Sequence, residues 1–411
     1  MSKKIDPRLP DDFGKGIMKE RPTIKSPWGR LVGFQEANHY ASRYEAVISA
    51  AVMQAFRILV PDYKTRAQTM CTEAYGRLYY IQMQYGDVLS DNHNVHPFCR
   101  GNFAGALTGD SGDEELMMCG RVQDFGTYRA EKELDVCDWD IVGSDLCRAT
   151  TQSFEASADA WAAKRRPGPK LEYHMVEARG CGDMHCRVVA ESRDKYPMPP
   201  HEQWECFGPV ATMDQIKYTP REEMVTESQA FREECDYRYA SGTNYERDGA
   251  GAISVMCSAA SNYLLPGIDM MIREGQLNEE TVDHVLHCVL EAAGKAAMGE
   301  KSAVEAQRQW LGAPAGLCDG RLMGGHIEMF LQSLRIPYEV EEFNEEQCIY
   351  LIDRAALNQL TRKLVAIHLS YWYGMVKTLV SAEWSVWEDA LEDTPAEKVR
   401  VRIARKIDKF C

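Results

Sequence analysis

Residues 171–192, LEYHMVEARGCGDMHCRVVAES, place the tightest local constraint on the chain. Two strand-like runs flank Gly180-Cys181-Gly182-Asp183, a pattern that predicts short antiparallel strands joined by a turn. Alternation puts Met184, Cys186, Val188 and Ala190 on the inward face of the second strand, and His185, Arg187, Val189 and Glu191 on the outward face. The two glycines free the backbone around Cys181 to bend.

The same stretch is the densest concentration of groups able to do chemistry. A thiol beside an imidazole and carboxylates can serve as nucleophile and base, or hold a metal that activates water. Cys181 and His185, with Glu177 or Asp183 as the carboxylate partner, are the candidate catalytic residues. Arg179 suits a bidentate contact with a substrate carboxylate, and His174 is a second candidate substrate contact. A solvated strand histidine and a tolerated turn cysteine give the same letters. The run Cys181-x3-His185-Cys186 supplies at most a two-ligand clamp.

Residues 338–354, YEVEEFNEEQCIYLIDR, echo the hairpin: a tyrosine, a glutamate four residues later (Glu177, Glu342), a turn and a cysteine (Cys186, Cys348). The echo predicts an internal duplication of a helix-hairpin unit. It also predicts Cys186 and Cys348 to be packing thiols, since each has a counterpart, whereas Cys181, Asp183 and His185 have none.

A chain of 411 residues exceeds what a single core usually serves, so more than one domain is expected. Four segments follow from composition. They are an extended arm over 1–34, a first α+β unit over 35–193, a proline-rich then charged connection over 194–250, and a second, mainly helical α+β unit over 251–411. The fold class is α+β, mainly helical with small antiparallel sheets. The formal charge of -15, from 62 acidic against 47 basic residues, disfavours nucleic acid and anionic membranes as partners. A small-molecule substrate and a second copy of the chain, as a homodimer, remain. The apolar run 364–376 is too short to span a bilayer, and the charged, proline-broken start does not read as a signal peptide, so a cytoplasmic protein with reduced thiols is expected.

Helical periodicity supports a helix from Gln35 to Pro61, a second over 64–84, and one after Asn278, whose side chain is placed to cap it. His284, Cys288 and Glu291 share a stripe of that last helix, more in keeping with a helix flank than with a ligand set. Residues 251–273 read as a helix interrupted at Pro266, and 355–392 as the strongest helical pattern, with Trp372, Trp384 and Trp387 on it. In the loop 91–101, His93, His96 and Cys99 have a spacing that can fold around zinc or iron, although polar loops of this kind often bind nothing. The Gly-rich loop 105–115 lacks a P-loop lysine.

The phrase Cys235-Asp236-Tyr237-Arg238-Tyr239 resembles the Cys-Asp-aromatic-Arg-aromatic phrase of the L-2-amino-thiazoline-4-carboxylic acid hydrolase-like family. That resemblance, confined to this phrase, implies a compact α+β domain and hydrolytic opening of a small ring containing a C–N or C–S bond. Together with the hairpin residues it gives the functional expectation. The chain is expected to be a hydrolase-type enzyme acting on a small cyclic or carboxylated metabolite through a Cys/His/carboxylate site, with metal assistance left open. The alternative is a non-catalytic small-molecule or metal-binding sensor module.

Overall fold

The computed structural model describes residues 23–74, 120–125, 129–134, 137–147, 149–150, 171–192, 264–334, 336–358, 364–389 and 394–406. His93, His96, Cys99, the connection 194–250 and the phrase 235–239 lie outside the described residues. The fold is α+β, mainly helical with small antiparallel sheets, as expected from the sequence. Among the described residues no helix is long and apolar enough to cross a membrane.

Two compact units are present, residues 1–21 with 60–269 and residues 22–59 with 270–411. This division differs from the one composition suggests. The first long helix, α1 (Phe34–Leu59), belongs to the second unit, because its apolar face packs with helices that come more than two hundred residues later. Part of the expected arm goes with it. Strands β1 (Ile24–Lys25) and β2 (Leu31–Val32) pair as a small ribbon, and Lys25 exchanges hydrogen bonds with the Gln332 side chain.

The first unit contains helix α2 (63–74) and a four-stranded sheet, β3 (Gly120–Phe125), β4 (Arg129–Leu134), β5 (Leu171–Glu177) and β6 (Cys186–Ser192), in the order β3-β4-β6-β5. Helix α3 (Leu265–Arg273) follows, with Pro266 in its first turn, where a missing N–H leaves no helical bond unmade. The second unit holds α4 (Glu279–Ala297), α5 (Lys301–Leu311), α6 (Gly320–Ser333), β7 (Tyr338–Phe343), β8 (Gln347–Asp353), α7 (Arg354–Asn358), α8 (Leu364–Leu379), β9 (Trp384–Glu388) and β10 (Lys398–Arg405). Asn278 caps α4 by accepting the Thr281 N–H at 2.9 Å, and Asp319 caps α6 by accepting the Arg321 N–H at 3.0 Å.

The expected helix over 355–392 is corrected. It divides into α7, α8 and strand β9, so Trp384 and Trp387 are strand residues. WSVWE alternates with period 2 after the turn at Ser381–Glu383, and pairing with β10 fixes it as a strand.

The second sheet has the order β7-β8-β10-β9, so in both sheets the strands lie first, second, fourth, third, all antiparallel. The sequence echo pairs β5–β6 with β7–β8, yet one is the later hairpin of its sheet and the other the earlier. By position β7–β8 corresponds to β3–β4. The register supports that pairing: each has its bulge after the third residue, between Val122 and Asp124 and between Val340 and Glu342, and each closes on a phenylalanine, Phe125 opposite Ala130 and Phe343 opposite Cys348.

Spacing in the second unit is set by glycine. A methyl group at Gly294 of α4 would lie 2.1 Å from the Tyr371 carbonyl oxygen, and one at Gly374 of α8 would lie 2.0 Å from the Glu291 carbonyl oxygen. Each helix rests on the other's backbone, which no larger residue allows. Gly294→Ala and Gly374→Ala are each expected to destabilise the protein by about 1–3 kcal/mol or more through forced separation of α4 and α8. Chemical denaturation read by far-UV circular dichroism checks this.

Candidate functional site

Around the β5–β6 hairpin the backbone forms a 3-10 turn over Arg179–Cys181, closed by Gly182 in the left-handed conformation at φ 100°. Gly180 is required for a different reason: a Cβ there would lie 2.8 Å from the Cys147 sulfur and 3.2 Å from the Gly143 carbonyl oxygen. Thiols support the turn from beneath. Cys186 Sγ accepts the Arg179 N–H at 3.3 Å, and Cys147 accepts the Gly180 N–H. Burial pushes the thiols of Cys137, Cys147 and Cys186 up in pKa, Cys137 to about 12, so these are neutral packing groups.

The predicted site residues separate into distinct roles. His185 Nε2 meets Glu177 Oε2 at 2.6 Å, with Glu133 of the neighbouring strand at 4.0 Å. A bulge between Met175 and Glu177 sets Glu177 opposite Arg187, which approaches the same oxygen at 3.6 Å. Asp183, itself exposed, folds back across the turn to accept the Ala178 N–H at 2.8 Å. Arg179 donates to the Met184 carbonyl at 2.7 Å and to Asp140 at 2.9 Å, so its fork braces the turn. Cys181 is exposed, while Cys186 and Cys348 are buried. His174 lies in β5 opposite Val189. Met184, expected on the inward face, precedes the strand and is 87% exposed, because the bend runs on through Met184 and His185 and strand alternation begins only at Cys186. On α4, His284 and Cys288 are 3.7 Å apart on the exposed flank, and Glu291 pairs with Lys295 at 2.5 Å. Among the described residues no group of three or more His, Cys, Asp or Glu side chains is placed to hold a metal ion.

Sequence reasoning missed a second cluster, inside the second unit. Helix α1 presents Tyr40, Tyr44 and Glu45, α6 presents His326, and α8 presents His368, Tyr371 and Trp372. The tyrosines, one turn apart, each engage a histidine: Tyr40 hydrogen-bonds His326 Nδ1, and Tyr44 shares a 3.0 Å hydrogen bond with His368 Nδ1. Gln307 also approaches His326 Nδ1, at 3.4 Å. Rings fill the space between. Tyr44 lies 4.3 Å from Phe330 and edge-on to Tyr371 at 5.3 Å, and His368 stacks on Trp372 at 5.5 Å. On the outer side Tyr40 stacks on Trp310 at 4.0 Å, and both rings are half-buried.

Glu45 is the unusual member. Its side chain is buried, with the residue 7% exposed, and His368 Nε2 approaches it at 4.0 Å, beyond hydrogen-bond reach. The hydroxyls of Ser42, one turn earlier, and Ser49, one turn later, are buried without hydrogen-bond partners among the described residues. Another buried acid of this unit, Glu328, is by contrast satisfied by the hydroxyls of Tyr350 at 3.1 Å and Tyr338 at 3.3 Å. Desolvation raises the Glu45 carboxyl to about 8 and lowers His326 and His368 to about 3, so the whole cluster is neutral at pH 7. The signal available in sequence was slight: a histidine inside the apolar run 364–376 and a tyrosine pair at helical spacing.

Comparison of the chain with models of known protein families, with curated proteins and with solved structures found no match.

These shifts make stability depend on pH in opposite directions. Glu45 holds its proton more tightly in the fold than in the unfolded chain, so its contribution is full below its ordinary value of 4.5 and is lost as pH rises towards about 8. The histidines contribute fully above their ordinary 6.5 and lose that contribution as pH falls towards about 3. Glu45→Gln is expected to flatten the fall in Tm between about pH 5 and about pH 8 while leaving the acid-side fall in place. Thermal melts across that range check it.

Proposed function

We propose that the protein binds a small molecule in the Tyr–His–Glu interior of its second unit. The observation that carries this reading is Glu45, a buried carboxyl with no hydrogen-bond partner among the described residues, 4.0 Å from the neutral imidazole of His368. Burying an ionisable group costs free energy unless something pairs with it, and a fold has no structural use for one left unpaired. Groups with strongly shifted pKa values concentrate at functional sites. The reading is that of a small-molecule-binding module. The equal strand order of the two sheets and the shared Val-x-acid-Phe bulge support an internal duplication, with β3–β4 matching β7–β8.

Glu45→Met keeps the volume and removes the buried acid, so it should raise Tm, as relief of a functional burden does. It should also abolish saturable binding from a small-fragment library, followed by tryptophan fluorescence of the intact protein, where Trp372 and Trp310 report. A variant that is less stable and binds fragments as the parent does would overturn the reading.

A second reading, a hydrolase acting on a small cyclic or carboxylated metabolite, is favoured by the 2.6 Å contact of His185 with Glu177 near the exposed Cys181. A carboxylate beside an imidazole can fix the ring's orientation, and an exposed thiol in the same hairpin end is the nucleophile of this reading. Cys181→Ser and His185→Gln are expected to remove turnover of cyclic C–N or C–S compounds with little change in Tm. Native thiol labelling read by mass spectrometry should modify Cys181 ahead of Cys186 and Cys348; full activity in both variants ends this reading.

A further inference from the structure

Helix α4 turns a face rich in ligand-type side chains to solvent. Val282, Leu286, Leu290 and Gly294 take its buried side, while Asp283, His284, His287 and Cys288 are exposed on the other. On that face His284 Nε2 and Cys288 Sγ, one turn apart, stand 3.7 Å from each other. Positions i and i+4 of a helix are neighbours whose spacing the backbone fixes, so the two donors are arranged before any ligand arrives.

The separation matches what a metal ion requires. Tetrahedral zinc takes an imidazole nitrogen at about 2.0–2.1 Å and a thiolate sulfur at about 2.3 Å, which sets the two donors about 3.5 Å apart. The pair on α4 is wider than that bite by only about 0.2 Å. A thiol-to-imidazole hydrogen bond has the same reach, and an added ion separates the two cases. Charge along the helix favours a cation: Glu279, Glu280 and Asp283 precede the pair and Glu291 follows it, against Lys295 as the one basic residue of α4. The neighbouring row of the face is engaged elsewhere. His287 Nδ1 meets the Ser370 hydroxyl at 3.0 Å, and Glu291 pairs with Lys295 at 2.5 Å.

We propose that His284 Nε2 and the thiolate of Cys288 chelate a zinc-type divalent ion on the exposed face of α4, at a site that shares no residue with either reading above. An imidazole and a thiolate suit zinc and its neighbours in the transition series, whereas magnesium and calcium take oxygen ligands. As the sulfur–metal bond forms, the thiol proton passes to solvent. Among the described residues no group of three or more ligand side chains is placed to hold a metal, so the pair is the whole protein share of the shell and water takes the remaining positions.

Residue-resolved thiol labelling of the full chain tests this, with zinc chloride as the probe. Alkylation of Cys288, read by mass spectrometry, should slow about tenfold or more in micromolar zinc, because a metal-bound thiolate is no longer a free nucleophile. A chelator should restore the rate, and magnesium chloride should leave it unchanged. Cys318, also exposed, is the internal control and should label alike with and without zinc. His284→Gln keeps the thiol and removes its partner ligand, so in that variant zinc should no longer protect Cys288, while far-UV circular dichroism shows α4 in place. Equal labelling of Cys288 with and without zinc overturns the proposal, as does protection that survives His284→Gln. Protection shared equally by Cys318 means an adventitious ion only, and overturns it too.

Discussion

The second unit depends on a pair of glycines. Gly294 and Gly374 let α4 and α8 approach until the backbone of each touches the other, and that spacing sets how close α8 lies to α4. His368 and Trp372, one turn apart, are carried to the face that α1 covers, and Tyr371 meets Tyr44 edge-on. A wider crossing would move the imidazole away from the Tyr44 hydroxyl. The polar cluster is therefore a product of close packing, and its hydrogen bonds hold because the helices around it cannot separate cheaply.

Within that packing the same physical cause acts on groups of opposite kind. Burial withdraws water from Glu45, His326 and His368 alike, and each responds by taking its neutral form: the acid keeps its proton, the bases give theirs up. The histidines recover part of that cost through tyrosine hydroxyls. Glu45 has no such hydroxyl among the described residues, and packing alone leaves its carboxyl unexplained.

The first unit solves its local problem differently. Its hairpin end is held by backbone N–H groups donated to sulfur, by Asp183 folded back on Ala178, and by Arg179 anchored to Asp140. Several residues that look chemically promising in the sequence are thus occupied in shaping the turn. Glu177 and His185 stay together on the surface, because the bulge that disturbs strand alternation also brings the carboxylate beside the imidazole. Spacing along the chain could suggest that these residues converge; which of them remain available was settled by hydrogen bonds to the backbone.

Local chemistry was enough for much of the fold. The α+β class, the β5–β6 and β7–β8 hairpins, the cap at Asn278, and the burial of Cys186 and Cys348 all follow from periodicity, turn residues and side-chain type. The sequence echo was visible, but its pairing was not, since two hairpins can share a tyrosine, a glutamate and a cysteine while holding different places in their sheets. Trp384 and Trp387 read as helical because aromatic residues fit either element, and only the ladder with β10 makes them a strand. The Tyr–His–Glu interior was beyond the reach of sequence for a plain reason. Tyr44 is separated from His326 and His368 by hundreds of residues along the chain, and no local pattern tells a histidine in an apolar run which helix will close over it; long-range packing made them neighbours and removed the water around them.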